Sequence, residues 1–118
     1  VLLIDDREDQ QLLKHLSSYD ISVCQLRLDY GDCAFEGSGP KGLCQIGFER
    51  KRLQDLINSM KDRRLAGSQL RGMWRTYDYC YLVIEGYWRP GDGGAIEVPS
   101  GGKWSAMYSG SQGVSYRQ

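Results

Sequence analysis

The hydrophobic period of this chain changes at Arg52, and that change fixes the class of fold. Over residues 43–50 the side chains alternate, with Ile46 and Phe48 set against Gln45 and Gly47, the period of two of a strand. After Arg52 the apolar positions are Leu53, Leu56, Ile57 and Met60, which is helical spacing. A further helix after Gly67 would bury Leu70, Met73 and Trp74. Upstream, residues 1–5 are an apolar run ending in acids, and Asp9 is placed to cap a helix through Ser18 with Leu12, Leu13 and Leu16 on one face. Residues 21–28 and 32–36 read as strands, the second entered through a Tyr30-Gly31-Asp32 turn, and residues 38–42 as a loop. Residues 79–85 (YCYLVIE) read as a strand central in the sheet. The order β-α-β-β-β-α-α-β predicts an α/β fold with a mixed central sheet flanked by helices. At 118 residues there is room for one domain.

Residues 86–118 differ, holding eight of the fifteen glycines. Strands are expected only at 95–98 and 103–108, forming a β-hairpin or flap of the same domain. No apolar run approaches the ~20 residues of a membrane span, so an intracellular protein without a membrane partner is expected. The chain opens on Val1 within a strand and without an initiator Met, as a piece of a longer protein would. Cys24, Cys33, Cys44 and Cys80 form no CxxC pair and a single histidine accompanies them, which argues against structural zinc. Each falls in an expected strand, as reduced core thiols do. His15, on a helix flank, reads as surface.

The formal net charge of zero conceals a division. Residues 1–49 carry −5, residues 50–75 carry +6 and residues 76–118 carry −1. An acidic half beside a basic block suits a cation-binding face next to a polyanion-binding one.

Hydrolysing a phosphodiester with a metal needs carboxylates to hold a hard cation, an activated water, and a positive group near phosphorus. Strand ends offer such residues here. Asp5 and Glu8 follow the first strand, Asp32 opens another after a glycine, and Glu49 and Lys51 lie two apart, on one face. Phe48 would then point the other way, into the core. Arg52, Lys61, Arg63 and Arg64 fit either a solvated helix face or phosphate contacts. Tyr77, Tyr79, Tyr81, Tyr87, Trp88 and Trp104 fit either a sheet rim or stacking surfaces for unpaired bases.

Asp5-Asp6-Arg7-Glu8, then Gly31-Asp32, then Phe48-Glu49-Arg50-Lys51-x-x-x-Asp55 resembles the XPF-type structure-selective nuclease domain. That family carries D-x-R-E, a G-D turn and V/I-E-R-K-x-x-x-D. Gly67-Ser68-Gln69-Leu70 and Leu82-Val83-Ile84-Glu85-Gly86 agree as well. The resemblance implies a restriction-endonuclease-like fold, with a nuclease core over residues 1–86 and the glycine-rich flap over 87–118. It implies a metal-dependent endodeoxyribonuclease using Mg²⁺ or Mn²⁺ on DNA that is branched, flapped or carries single-strand/double-strand junctions, in repair, recombination or replication, as a homodimer or heterodimer. Asp32, Glu49 and the main-chain carbonyl of Arg50 would hold the metal, with Asp5 and Glu8 as outer or second-metal ligands. Lys51 would orient water or stabilise charge, positioned by Asp55 one turn later on the same helical face. Arg7 and Arg50 would fix the acids or hold a phosphate, and Gln69 matches a family glutamine near the site. Cys33 and Phe48 depart from the family's usual residues. A catalytically silent DNA-binding subunit of the same fold, or a junction resolvase or restriction-type nuclease of related lineage, are the other readings.

Overall fold

In the computed structural model, which describes residues 1–63 and 65–117, the first eight regular elements follow the expected order. They are β1 (Leu2–Asp5), α1 (Gln10–Ser17), β2 (Val23–Leu26), β3 (Cys33–Gly39), β4 (Gly42–Arg52), α2 (Leu53–Lys61), α3 (Leu70–Thr76) and β5 (Tyr79–Glu85). A π-helical turn, Leu65–Gln69, leads into α3. The sheet order is β2-β1-β3-β4-β5, with β1·β2 and β4·β5 parallel and β1·β3 and β3·β4 antiparallel. This is a mixed α/β sheet of the restriction-endonuclease-like kind. β1 and β4 run the same way but cross over to opposite edges, so right-handed crossovers place α1 on one face and α2 and α3 on the other.

Asp9 caps α1 through its carboxylate, which accepts from the Gln11 amide at 2.9 Å. The expected loop at 38–42 shrinks to a two-residue turn. β3 runs on to Gly39, which pairs with Gly42, and a long β3–β4 ribbon results.

Four expectations of burial are corrected. Tyr79–Glu85 is an edge strand, not a central one, and Tyr81, Val83 and Ile84 are exposed on it. An apolar run cannot distinguish edge from centre, because that depends on which strand arrives on its far side. Phe48 is half-buried in a row of stacked rings, 5.7 Å from Phe35 and 5.4 Å from Tyr81, which is itself exposed. Trp74 is 67% exposed, while Met73 on the same helix is 1% exposed and fills the core with Ile4, Ala34 and Leu56. Cys24 is exposed, whereas Cys33 and Cys44 are buried.

Beyond Glu85 the chain builds a three-stranded antiparallel meander, β6 (Arg89–Pro90), β7 (Ile96–Ser100) and β8 (Lys103–Ala106). A small hairpin, β9 (Tyr108–Ser109) and β10 (Gln112–Gly113), follows. Ile96 and Met107 are the buried apolar residues of this part. It docks on α2, where Gln54 Nε2 donates to the Tyr108 carbonyl at 3.5 Å and Lys61 Nζ to that of Ser109 at 3.4 Å. Among the described residues, no helix is long and apolar enough to cross a membrane.

Candidate active site

Asp32 is held where three strands meet. Gly31 adopts φ +84°, open to glycine at no steric cost, and turns the chain into β3. The Asp32 amide then donates to the Phe48 carbonyl at 2.7 Å, and its own carbonyl accepts from the Asp5 amide at 2.9 Å. One residue beyond the last β3–β4 pair, Cys33↔Phe48, the side chain takes over the ladder: Asp32 Oδ2 accepts from the Arg50 amide at 2.6 Å. Asp32 thereby stands opposite Glu49. Glycine is also required at Gly47, where a Cβ would lie 2.3 Å from the Tyr77 ring. That ring wedges under the turn, and its hydroxyl donates to the Tyr30 carbonyl at 2.6 Å.

Glu49 and Lys51 share a face of β4, Lys51 Nζ lying 3.8 Å from Glu49 Oε1. Both are well shielded, at 12% and 13% side-chain exposure. Burial, and then the charge of Asp32, raise the Glu49 carboxyl above its ordinary value, while Lys51 and Arg7 pull against them. Glu8 comes in from the segment before α1. Burial, a hydrogen bond with Asp32 and the Asp32 charge push Glu8 up to about 7, despite the opposing Arg50 guanidinium. The Asp32 charge therefore works against the ionisation of both Glu49 and Glu8.

Arg50 bridges two acids, Glu8 from Nη1 and Glu85 from Nε. Its fork ties the segment before α1 to the end of β5. Glu85 received no role from its position in sequence. The signal lay in the parallel register, which pairs Arg52 with Glu85 and so brings the ends of β4 and β5 level.

Asp5 differs from the other acids, being 2% exposed with both oxygens fully engaged. Oδ1 accepts from the Arg7 amide at 2.9 Å and from Arg7 Nε at 2.7 Å. Oδ2 accepts from Arg7 Nη2 at 3.0 Å and from the Leu28 amide at 2.8 Å. The Arg7 side chain, ahead of burial that opposes it, holds this carboxyl far below the usual range. Four donors thus surround Asp5, the expected outer or second-metal ligand, and through it Arg7 is anchored.

Two clefts flank the cluster. One, of ≈ 300 Å³, is lined by Asp32, Glu49, Arg7, Ser68 and Gln69. Gln69 Oε1 is buried there with no hydrogen-bond partner among the described residues. The other, of ≈ 250 Å³, is lined by Glu8, Arg50, Lys51, Arg52 and Asp55. Asp55 is thus beside Lys51, but the helical relation expected between them is corrected. Lys51 lies in β4 and α2 begins only at Leu53, so the ion-pair partner found for Lys51 is Glu49. Of the basic block, Arg52 is exposed at the second cleft, Lys61 turns to Ser109, and Arg63 is exposed at φ +61°. Arg64 lies outside the described residues.

Among the described residues, no three His, Cys, Asp or Glu side chains form a ready metal-binding group. The donor set nonetheless fits a hard divalent ion. Asp32 and Glu49 offer two carboxylates whose mutual repulsion a cation would relieve, and Gln69 Oε1 is a buried oxygen without a donor. Cys33 adds no nucleophile, because burial pushes its thiol up to about 11.

The ERCC4 domain, a protein family, matches residues 4–93, three-quarters of the chain and every residue of this cluster. No curated protein matches the chain.

Proposed function

The chain belongs to the ERCC4 domain family, and on that premise we propose that it is a Mg²⁺- or Mn²⁺-dependent endonuclease cutting branched, flapped or junction DNA. The family is one of structure-specific nucleases that act on DNA, in accord with the XPF-type resemblance of the motifs. One observation carries the proposal. Asp32, from the turn before β3, and Glu49, from β4, meet on one face with Lys51 beside them and the unpartnered Gln69 oxygen in the same cleft.

Asp32 and Glu49 would hold the cation, which when bound supplies Lewis acidity and lowers the pKa of a coordinated water. Each of the other residues has a task that follows from its position. Lys51 offers its ammonium to the charge that builds on phosphorus as the water attacks and the leaving oxygen departs. Gln69 Oε1 accepts a hydrogen bond from the attacking water and so orients it. Arg50, pinned between Glu8 and Glu85, keeps the end of β4 in place. Asp5 and the Leu28 carbonyl fix Arg7 at the rim, where the side chain is 59% exposed and can meet a phosphate with Nη1.

The test is cleavage of flap, fork, four-way junction and linear duplex, each in Mg²⁺, Mn²⁺ and EDTA, by wild type and Glu49→Ala. Metal-dependent cutting that Glu49→Ala abolishes supports the proposal. Cutting that survives Glu49→Ala overturns the site. Binding to these DNAs without cutting in Mn²⁺ favours a silent subunit, and symmetric cuts at four-way junctions favour a resolvase.

A further inference from the structure

A third cleft, of ≈ 470 Å³, opens where the C-terminal meander meets α2. Arg52 and Glu85 line both this cleft and the one that holds Lys51 and Glu8, so the two adjoin at that rim. Its surface is largely apolar, formed by Leu53, Val98, Pro99 and Met107. Tyr87 stands beside this floor with 81% of its surface exposed. At the shared rim Arg52 is exposed, with no ion-pair partner among the described residues, whereas the charge of Glu85 is met by Arg50.

A flat aromatic wall, an apolar floor and an unpaired guanidinium suit a ligand with a planar apolar face and an anionic tail. An unpaired nucleotide has that chemistry: its base can stack on tyrosine and its phosphate can meet an arginine. A base pair within a duplex cannot bind this way, because its faces are already covered by its neighbours. The rim shared with the Lys51 cleft puts such a nucleotide within reach of a strand whose phosphate lies at Lys51. We propose that this cleft holds an unpaired nucleotide of a single-stranded arm leaving the catalytic cleft, with its base on Tyr87 and its phosphate on Arg52. The proposal rests on the endonuclease reading and adds to it a source of preference for DNA with single-stranded arms. Val98, Pro99 and Met107 lie beyond the residues matched to the family, so of this floor only Leu53 falls within that match.

The test is fluorescence anisotropy in Ca²⁺ with a labelled oligothymidine strand, a blunt duplex and a flapped duplex. Tyr87→Ala should weaken binding of the single strand and the flap by about 5–10-fold, the size of one lost stacked base, and leave the blunt duplex within about twofold. Tyr87→Phe should restore it. Arg52→Ala should weaken the same two DNAs and flatten their salt dependence by a slope of about 1. Unchanged affinity for strand and flap in Tyr87→Ala would overturn the proposal and leave the apolar floor to a peptide. An equal loss on blunt duplex would overturn it too. The same proteins in Mg²⁺ separate the two claims. Wild type that binds arms but cuts none counts against the endonuclease alone, and Tyr87→Ala that cuts with undiminished flap preference counts against the cleft alone.

Discussion

Two groups of acids at the same end of the sheet have opposite electrostatics. Around Asp5, four donors converge on one buried carboxylate and drive its pKa far down. Across Arg7, the acids Asp32, Glu49 and Glu8 share few donors, and Glu8 and Glu49 are raised. The first arrangement is what a folded protein does with a charge it must bury. The second leaves negative charge crowded and only partly offset by Arg50 and Lys51, at a cost to the fold, as sites built to receive a cation or a proton do. D-x-R-E and the acids after it look alike in sequence, yet one acid is saturated with donors and the others are crowded against one another.

The comparison breaks most visibly under substitution. Asp32→Asn keeps an acceptor for the Arg50 amide but loses the charge, so metal-dependent cleavage should fall by about 10³-fold or more, with the folded circular dichroism spectrum retained. Asp5→Asn should do the reverse. It turns an amide donor against the donors of Arg7 or Leu28 and should cost about 3 kcal/mol of stability, read as a lower urea midpoint. A stable Asp5→Asn protein that has lost only metal binding would return Asp5 to the ligands.

The pH dependence of the metal-free protein sharpens the same contrast. Glu8, raised from 4.5 to about 7, binds more protons folded than unfolded between those values. Stability should therefore fall as pH rises from 4.5 to 7, by on the order of 2 kcal/mol, and level off above. Asp5, lowered from 3.8, works the other way: its contribution is present above 3.8 and is lost as pH falls toward its folded value. The optimum should lie near pH 4–5, measurable by urea unfolding across a pH series in EDTA. The smallest effect expected is that of Glu49→Gln. Removing a desolvated charge repelled by Asp32 should leave metal-free stability unchanged or raise it by up to about 1 kcal/mol, seen as a thermal midpoint no lower than that of wild type.

Much of the fold is legible in the amino-acid sequence. The change of period at Arg52 and the caps and turns upstream carry the element order through Glu85, because helix and strand periods are local properties. Glu49 and Lys51 on one face follow from the same alternation. What depends on neighbours is not legible. The apolar content of Tyr79–Glu85 says nothing of its standing at an edge, and the alternation that turns Phe48 away from Glu49 says nothing of how fully that side is covered. The enclosure of Asp5 by four donors is not legible, because one of them comes from Leu28, 23 residues away. Helical spacing ties Asp55 to Lys51, and the boundary one residue after Arg52 removes that link. Glu85 becomes visible only through the β4·β5 register, and the meander beyond it through tertiary contact with α2.

The central claim is that the crowded acids, and not Asp5, receive the metal. Thermal unfolding with and without Mn²⁺ tests it directly, because a ligand that binds only the folded state stabilises it by RT ln(1 + [L]/Kd). Wild type should gain about 2–3 kcal/mol at Mn²⁺ near a hundred times Kd, and Glu49→Gln and Asp32→Asn should gain almost nothing. An undiminished Mn²⁺ shift in both variants would contradict the account.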